Sequence, residues 1–469
     1  MKIMLKKINP LILFVLLYLL IWVGVTLLIH NPYSISPDTA ENMMWGMNPS
    51  LMYDKHPGLG PLFLIPFTYF FNPLLANLLA NTFCILITWL FLYKTLKIYF
   101  CKKEAIFVTL LSIASFFYMG EFFLQYNQNI ILLPFWSAGA YYFIKSLDAN
   151  NSIDWVFTAV ALALGVYAKF EIGLLAIAMM VCLVIKFDRR YLKNIFLATT
   201  VGTLFLLPGF ISLLNIDFAT LKYVTMRVSE SNNSVIYDFF YAIFDSFFQL
   251  LNFSIGIIVI SYLFYKKKMY KEDSSNDKKV LIILGIIPYL IFCFLETIKG
   301  MLPTEWLVCA TVFVLPAVYS IFKVRILDIN LYKLVSLITI VNIVYFISFN
   351  LNTFINQAIE HNNIGNSVAL SAERFLKMNN LAEPQNASGN WNYSLYLPVF
   401  MKSKPNYVRE WQQSNVKGTM LLVYPSCNMG IDAGKYGYKL IKKECENIKL
   451  IDKFKTQNKT FSFYFVEKK

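Results

Sequence analysis

The feature that most constrains this chain is a succession of apolar runs, many near the ~20 residues that span a bilayer, extending from Leu11 to Phe349 between short polar connections. A segment inside lipid must satisfy its own backbone hydrogen bonds, which leaves helices or closed barrels. The two-residue alternation of an outer-membrane strand is missing, so the runs predict helices. Composition agrees: 57% of residues are hydrophobic and 15% charged, where a soluble chain approaches about a quarter charged.

Predicted spans are Leu11–Ile29, Pro73–Ile98, Ala105–Met119, Ile130–Ile144, Trp155–Ala168, Ile172–Ile185, Ile195–Leu214, Phe253–Tyr265, Val280–Leu295, Leu307–Phe322 and Leu331–Phe349. Gly58–Phe71 reads as a partly inserted or surface segment. The expectation is roughly eleven crossings, within a range of about nine to thirteen. No small-residue cleavage site follows Leu11–Ile29, so it reads as a retained first helix.

A formal net charge of +14 invites a nucleic-acid reading. No separate basic domain supports it. Instead Lys and Arg cluster in alternate connections: Lys6 and Lys7, Lys94 to Lys103, Lys186 to Lys193, Lys266 to Lys279, then Lys323 and Arg325. The positive-inside bias puts these, and the N-terminus, on the cytoplasmic side. The other side then receives residues 31–56, 121–129, 169–171, 215–248, 296–306 and everything after Asn350.

Residues 1–350 are thus expected to form a transmembrane domain, and 351–469 a small extracytoplasmic α/β or α+β domain, with strands at Thr419–Tyr424 and Phe461–Val466. Cys427 and Cys445 are the one cysteine pair there; a disulfide and two free thiols both stand open. Cys84, Cys101, Cys182, Cys293 and Cys309 read as apolar fillers or free thiols. Walker, dinucleotide, CxxC and HExxH patterns are missing, and no set of metal ligands stands out.

Chemistry concentrates between Asn31 and Pro61. Ser36-Pro37-Asp38 reads as a helix start, with Ser36 capping and Asp38 and Glu41 one turn apart on one face. Asp38 as a mere cap is the alternative. Asp54, Lys55 and His56 follow, then a stiff Pro57-Gly58-Leu59-Gly60-Pro61 turn. Lys55 and His56 suit a phosphate; a snorkelling Lys55 is the plainer reading. Glu121 to Asn129, with Tyr126, Asn127 and Asn129, suits sugar hydroxyls, and equally an interfacial aromatic belt. Lys169 and Glu171 interrupt apolar sequence, where charge is expensive, as functional groups or as an ion pair. Lys299 with Glu305, and Arg227 with Lys222, complete the polar clusters on that side.

The order SPDTAE, DKHPGLGPL, YNQN, GVYAKFEIGLL and PTEWLVCATVFVLP, followed by a polar domain, resembles GT-C membrane glycosyltransferases, in particular aminoarabinose transferases and protein O-mannosyltransferases. The resemblance covers roughly residues 10–350. It implies an essential first-loop acid at Asp38, with Glu41 its neighbour. The family's Lys/His-Pro-Pro-Leu turn is matched by His56-Pro57-Gly58-Leu59, with Gly58 in place of a proline. A later cationic position falls on Lys169, with Ala168 where a hydroxyl is usual. In place of the family's second acid stand Asn127 and Asn129, with Glu121 the nearest carboxylate.

The resemblance implies a sugar on a polyprenyl-phosphate carrier as donor, a glycolipid, glycan or protein as acceptor, and Asp38 as general base of an inverting attack. No cofactor is implied beyond a divalent metal that the acid-rich first loop would permit. The competing class is a multi-span lipid transporter or flippase, which would carry charge near the bilayer midplane rather than at one surface.

Overall fold

The computed structural model describes residues 8–29, 35–119, 125–228, 244, 248, 269–271, 278–299, 304–321, 324–326, 330–355, 364–408, 416–426, 439–452 and 455–468. The first apolar run begins where Asn9 caps α1 (Pro10–Leu19), its side chain accepting from the Leu11 N–H. It loosens into a π-helical stretch, Leu20–Val25, and closes as Thr26–Ile29. There follow α2 (Pro37–Met47), α3 (Leu59–Phe70), α4 (Pro73–Tyr99), α5 (Lys102–Ile113), α6 (Gln128–Ala149), α7 (Ser152–Ala168), α8 (Ile172–Ile185), α9 (Leu192–Asn215) and α10 (Ala219–Val228). Beyond these lie α11 (Lys279–Lys299), α12 (Val314–Ile321) and α13 (Leu331–Ile355).

Among the described residues, Pro10–Leu28, Pro73–Tyr99, Gln128–Ala149, Arg189–Asn215 and Leu331–Ser348 are long and apolar enough to cross a membrane. Leu59–Phe70, Ser152–Ala168, Ile172–Ile185, Lys279–Leu295 and Val308–Ile321 are shorter apolar helices. The run expected as one span over Ala105–Met119 is helical only to Ile113, and Phe116–Tyr118 forms a 3-10 turn held by Ser115. The run from Leu307 is likewise broken, into Thr304–Leu307, Val308–Thr311 and α12. The span expected at Phe253–Tyr265 lies outside the described residues.

Polar side chains inside the bundle serve the backbone. Pro208 interrupts α9, and there the Tyr167 hydroxyl enters the helical ladder, donating to the Phe205 carbonyl at 2.7 Å and accepting from the Gly209 N–H at 2.8 Å. A Cβ at Gly209 would meet the Tyr167 ring at 2.3 Å, which explains the glycine. Trp22 donates to Asn342 at 2.9 Å and so ties α13 to the first helix. Phe196, Leu204 and Phe210 on α9 are exposed, as on a helix facing lipid.

Strands β1 (Met269–Lys271) and β2 (Val324–Ile326) pair antiparallel between helices. The C-terminal part then opens with α14 (Ile364–Met378). Its sheet comprises β3 (Asn386–Gly389), β4 (Asn406–Tyr407), β5 (Gly418–Tyr424), β6 (Lys439–Asp452) and β7 (Lys455–Lys468), in the order β4-β3-β5-β7-β6. Strands β3, β4 and β5 run parallel, and β7 is antiparallel to both β5 and β6.

Alternation along the strands divides the apolar residues between two faces. Leu421, Val423, Phe461, Phe463 and Phe465 pack on α14 through Val368, Ala372 and Phe375, whereas Met420, Leu422, Tyr464 and Val466 cluster with Val408. Both expected strands are present, and the mixed α/β character with them. Cys445 on β6 is disulfide-bonded, and Cys427 lies outside the described residues. The remaining cysteines are free thiols. A short helix between β3 and β4, α15 (Tyr396–Phe400), packs against α2 and joins this domain to the bundle core.

Candidate active site

The N-terminus of α2 is built as its sequence predicts. Ser36 Oγ accepts from the Thr39 N–H, and Pro37 and Asp38 occupy the first turn. Thr39 is locked from below: its hydroxyl donates to Asn77 Oδ1 at 3.1 Å, and the same oxygen accepts from the Tyr126 N–H at 3.0 Å. One asparagine on α4 therefore fastens both the start of α2 and the segment leading into α6. Asn127 in turn caps α6, accepting from the N–H groups of Asn129 and Ile130.

The chain leaves α2 and returns through a narrow turn. Tyr53 N–H donates to the His56 carbonyl at 3.0 Å, Gly58 N–H donates to the Leu51 carbonyl at 2.8 Å, and Met52 bridges Pro57. Asp54 and Lys55 occupy the tip. A Cβ at Gly58 would lie 1.9 Å from the Ser50 carbonyl oxygen, so no side chain fits there. A proline would also remove the N–H that closes the turn. Gly58 is thus dictated by the return path of residues 50–51.

Aromatic packing backs this turn. Tyr53 stacks on Trp45 at 4.9 Å, its hydroxyl donating to the Trp45 carbonyl and accepting from Ser50 N–H. Burial pushes this phenol up to about 12, against a smaller lowering by the Ser50 N–H. His56 sits edge-on between Trp45 and Tyr223, and Thr220 donates to the Tyr53 carbonyl, so α10 closes over the turn.

At the tip, Lys55 Nζ lies 2.7 Å from Glu41 Oε2 and 3.9 Å from Asp38 Oδ1. Exposure separates the two acids: the Glu41 side chain is 2% exposed and that of Asp38 38%. Burial alone would lower the Lys55 pKa, but Glu41 and then Asp38 outweigh it and hold the ammonium above its ordinary value. The outcome is a neutralised Lys55–Glu41 pair beneath an accessible carboxylate.

A second cation lies across a short polar bridge. Gln128 Nε2 donates to Asn42 Oδ1 at 3.0 Å, joining α2 to α6. On the next residue, Asn129 Oδ1 accepts from Lys169 Nζ at 2.6 Å, and that ammonium also holds Glu171 Oε2 at 2.6 Å. The Trp306 ring lies under it at 4.7 Å. Glu171 is enclosed, and among the described residues its Oε1 has no hydrogen-bond partner. Burial raises its pKa, with Lys169 opposing.

Asp38, Glu41, Asp54, Lys55, His56, Tyr126, Asn127, Asn129, Lys169 and Glu171 therefore gather at one end of the bundle. Tyr126 is buried and donates to the Gly60 carbonyl, a scaffold role rather than an open contact. Glu121 and the side chains of Arg227, Lys299 and Glu305 lie outside the described residues. Sequence reading did not single out Asn42, Asn77, Tyr223, Trp306 or Tyr396. A buried amide in an apolar run was the available signal for Asn77. Among the described residues no group of three or more His, Cys, Asp or Glu side chains could hold a metal ion.

Two crystal structures of ArnT from Cupriavidus metallidurans match this arrangement of helices and C-terminal domain. The one bound to undecaprenyl phosphate gives a TM-score of 0.62 at 12% identity, over 96% of this chain and 97% of that one. The apo state gives 0.60 at 11% identity, over the same shares. The chain has the GT-C fold of ArnT. Residues 55–213 also match the family model of dolichyl-phosphate-mannose-protein mannosyltransferases. That stretch begins at Lys55 and contains Tyr126 to Asn129 and Lys169 to Glu171. A comparison with curated protein sequences gives no match. The resemblance in the order of motifs is thus met by an ArnT-like fold.

Proposed function

We propose that the protein is a membrane glycosyltransferase that moves a sugar from a polyprenyl-phosphate carrier to an extracytoplasmic acceptor. The observation that carries this is the pairing at the tip of the turn: Asp38 half-open beside a Lys55 already neutralised by buried Glu41. In this reading Asp38 takes the proton of the acceptor hydroxyl as its oxygen attacks the anomeric carbon. The bond from that carbon to the phosphate oxygen breaks, and its electron pair leaves with the carrier phosphate. Glu41 stays with Lys55 and keeps Asp38 from being locked into a close ion pair.

The departing phosphate needs positive charge, and each described lysine in the site already holds a glutamate. Both ammonium groups add positive charge beside the departing phosphate. We assign the further cation to Arg227, which follows Thr220 and Tyr223 on α10. Asn129 and the Trp306 ring offer the sugar a hydrogen-bonding and a flat apolar surface. That ArnT has been crystallised bound to undecaprenyl phosphate supports the choice of carrier. In the same reading the protein lies in a bacterial inner membrane with residues 351–469 outside. Its acceptor is a lipopolysaccharide or lipid A, another envelope glycan, or a protein. A flippase would leave donor consumption unchanged.

The test is to extract carrier lipids from cells lacking the protein. Accumulation of one polyprenyl-phosphate sugar, reversed by the wild-type chain but not by Asp38→Asn, is expected. Unchanged carrier pools would sink the assignment.

A further inference from the structure

The C-terminal domain meets the chain just ahead of α2 through Tyr396. Tyr396 begins α15, is 3% exposed, and donates from its hydroxyl to the carbonyl of Ile35 at 3.3 Å. Ile35 immediately precedes the Ser36 cap, so this bond anchors the backbone from which α2 and Asp38 start. Burial first, and then the charge of Asp38, raise the Tyr396 phenol above its ordinary value.

The ring is itself clamped. A Cβ at Gly365, at the start of α14, would meet Tyr396 Cδ1 at 2.4 Å and Phe400 Cε2 at 2.9 Å, so the α14 backbone lies directly on the ring. Leu395, Tyr396 and Val399 belong to the same apolar cluster as Ile35, Ala40 and Met43. Position therefore passes from the C-terminal domain, through a buried ring and one hydrogen bond, to the first turn of α2.

We infer that Tyr396 is a positioning residue for Asp38, so that the C-terminal domain is a working part of the catalytic site. This rests on the proposed role of Asp38. The hydroxyl holds Ile35, the cap at Ser36 keeps its geometry, and the Asp38 carboxylate stays where an acceptor oxygen can meet it. Losing the hydroxyl frees the helix start without opening a cavity, because phenylalanine keeps the ring.

The test compares Tyr396→Phe with Tyr464→Phe, which removes a buried hydroxyl from the same domain on the sheet face away from α14. The full-length protein is purified into lipid nanodiscs. The donor probe is the carrier-lipid extract from cells lacking the protein. For Tyr396→Phe the expected result is a kcat about 10-fold lower at an unchanged half-saturating donor amount. Backbone amides of residues 38–42 should also exchange hydrogen faster, and Tyr464→Phe should change neither reading. Normal kcat in Tyr396→Phe overturns the inference, and so does an equal loss in Tyr464→Phe. If Asp38→Asn itself retains transfer, the role of Asp38 fails separately, and the exchange rate alone decides whether Tyr396 holds α2.

Discussion

Lys55 and Lys169 each hold an ammonium against one enclosed glutamate, Glu41 at 2.7 Å and Glu171 at 2.6 Å; among the described residues, Lys55 alone of the two has a second carboxylate, Asp38, within 3.9 Å. The surroundings differ in kind. Lys55 stands at the tip of a turn, with Asp38 open to incoming groups. Lys169 is enclosed between an amide and an indole ring. An ion pair between apolar helices is therefore not evidence of catalysis by itself. Among the described residues, what separates the two is the reachable Asp38 carboxylate left outside the pair at Lys55.

The sharpest way to break this comparison is to neutralise one acid at each place. Asp38→Asn should lower sugar transfer by about 10³-fold while leaving the fold intact, as loss of a general base does. Glu171→Gln should retain most activity. Transfer that survives the first change and disappears in the second would reverse the assignment of the two regions.

Stability should follow the opposite order. Glu41→Gln removes the closest described carboxylate from a buried Lys55, and breaking such a pair costs about 3 kcal/mol. The double variant Glu41→Gln, Lys55→Met should recover a good part of that, because no uncompensated charge remains. Chemical denaturation in detergent measures both. A smaller penalty, about 2 kcal/mol, is expected for Gly58→Ala, whose Cβ overlaps the Ser50 carbonyl and must push the turn apart. Because Lys55 rides on that turn, transfer should fall with it.

These variants separate what was legible in the sequence from what was not. Apolar runs of membrane length and the Ser36-Pro37-Asp38 start are local patterns, and helices form there for local reasons. The breaks at Ser115 and near Val312 were hidden, because apolar composition does not change where the helix does. In the site, the residues could be nominated but not paired. Lys55 meets Glu41 only because the chain doubles back through Gly58, and Tyr396 meets Ile35 across most of the chain. Such contacts are set by tertiary packing, and neither partner carries a local mark of the other. The glycine in place of a proline looked like a departure from the family turn. In the structure it is the residue that lets the backbone at Ser50 and Leu51 approach.

The smallest effect is a pH slope, and it sharpens the comparison from the other side. Burial raises the Glu171 pKa above its ordinary 4.5, so the folded protein holds that proton more tightly than the unfolded chain. Its contribution is fully present below pH 4.5 and is lost as pH rises through the raised value. Lys55, raised above 10.5, contributes equally throughout the acidic and neutral range and loses its share only in alkali. The difference in thermal midpoint between wild type and Glu171→Gln should therefore drift against wild type as pH rises from 4.5 toward neutrality. For Lys55→Met the corresponding difference should not acquire a Lys55 term until alkaline pH. A flat difference for Glu171→Gln would mean that Lys169 fully offsets burial, leaving the accessible Asp38 as the contrast between the two ion pairs among the described residues.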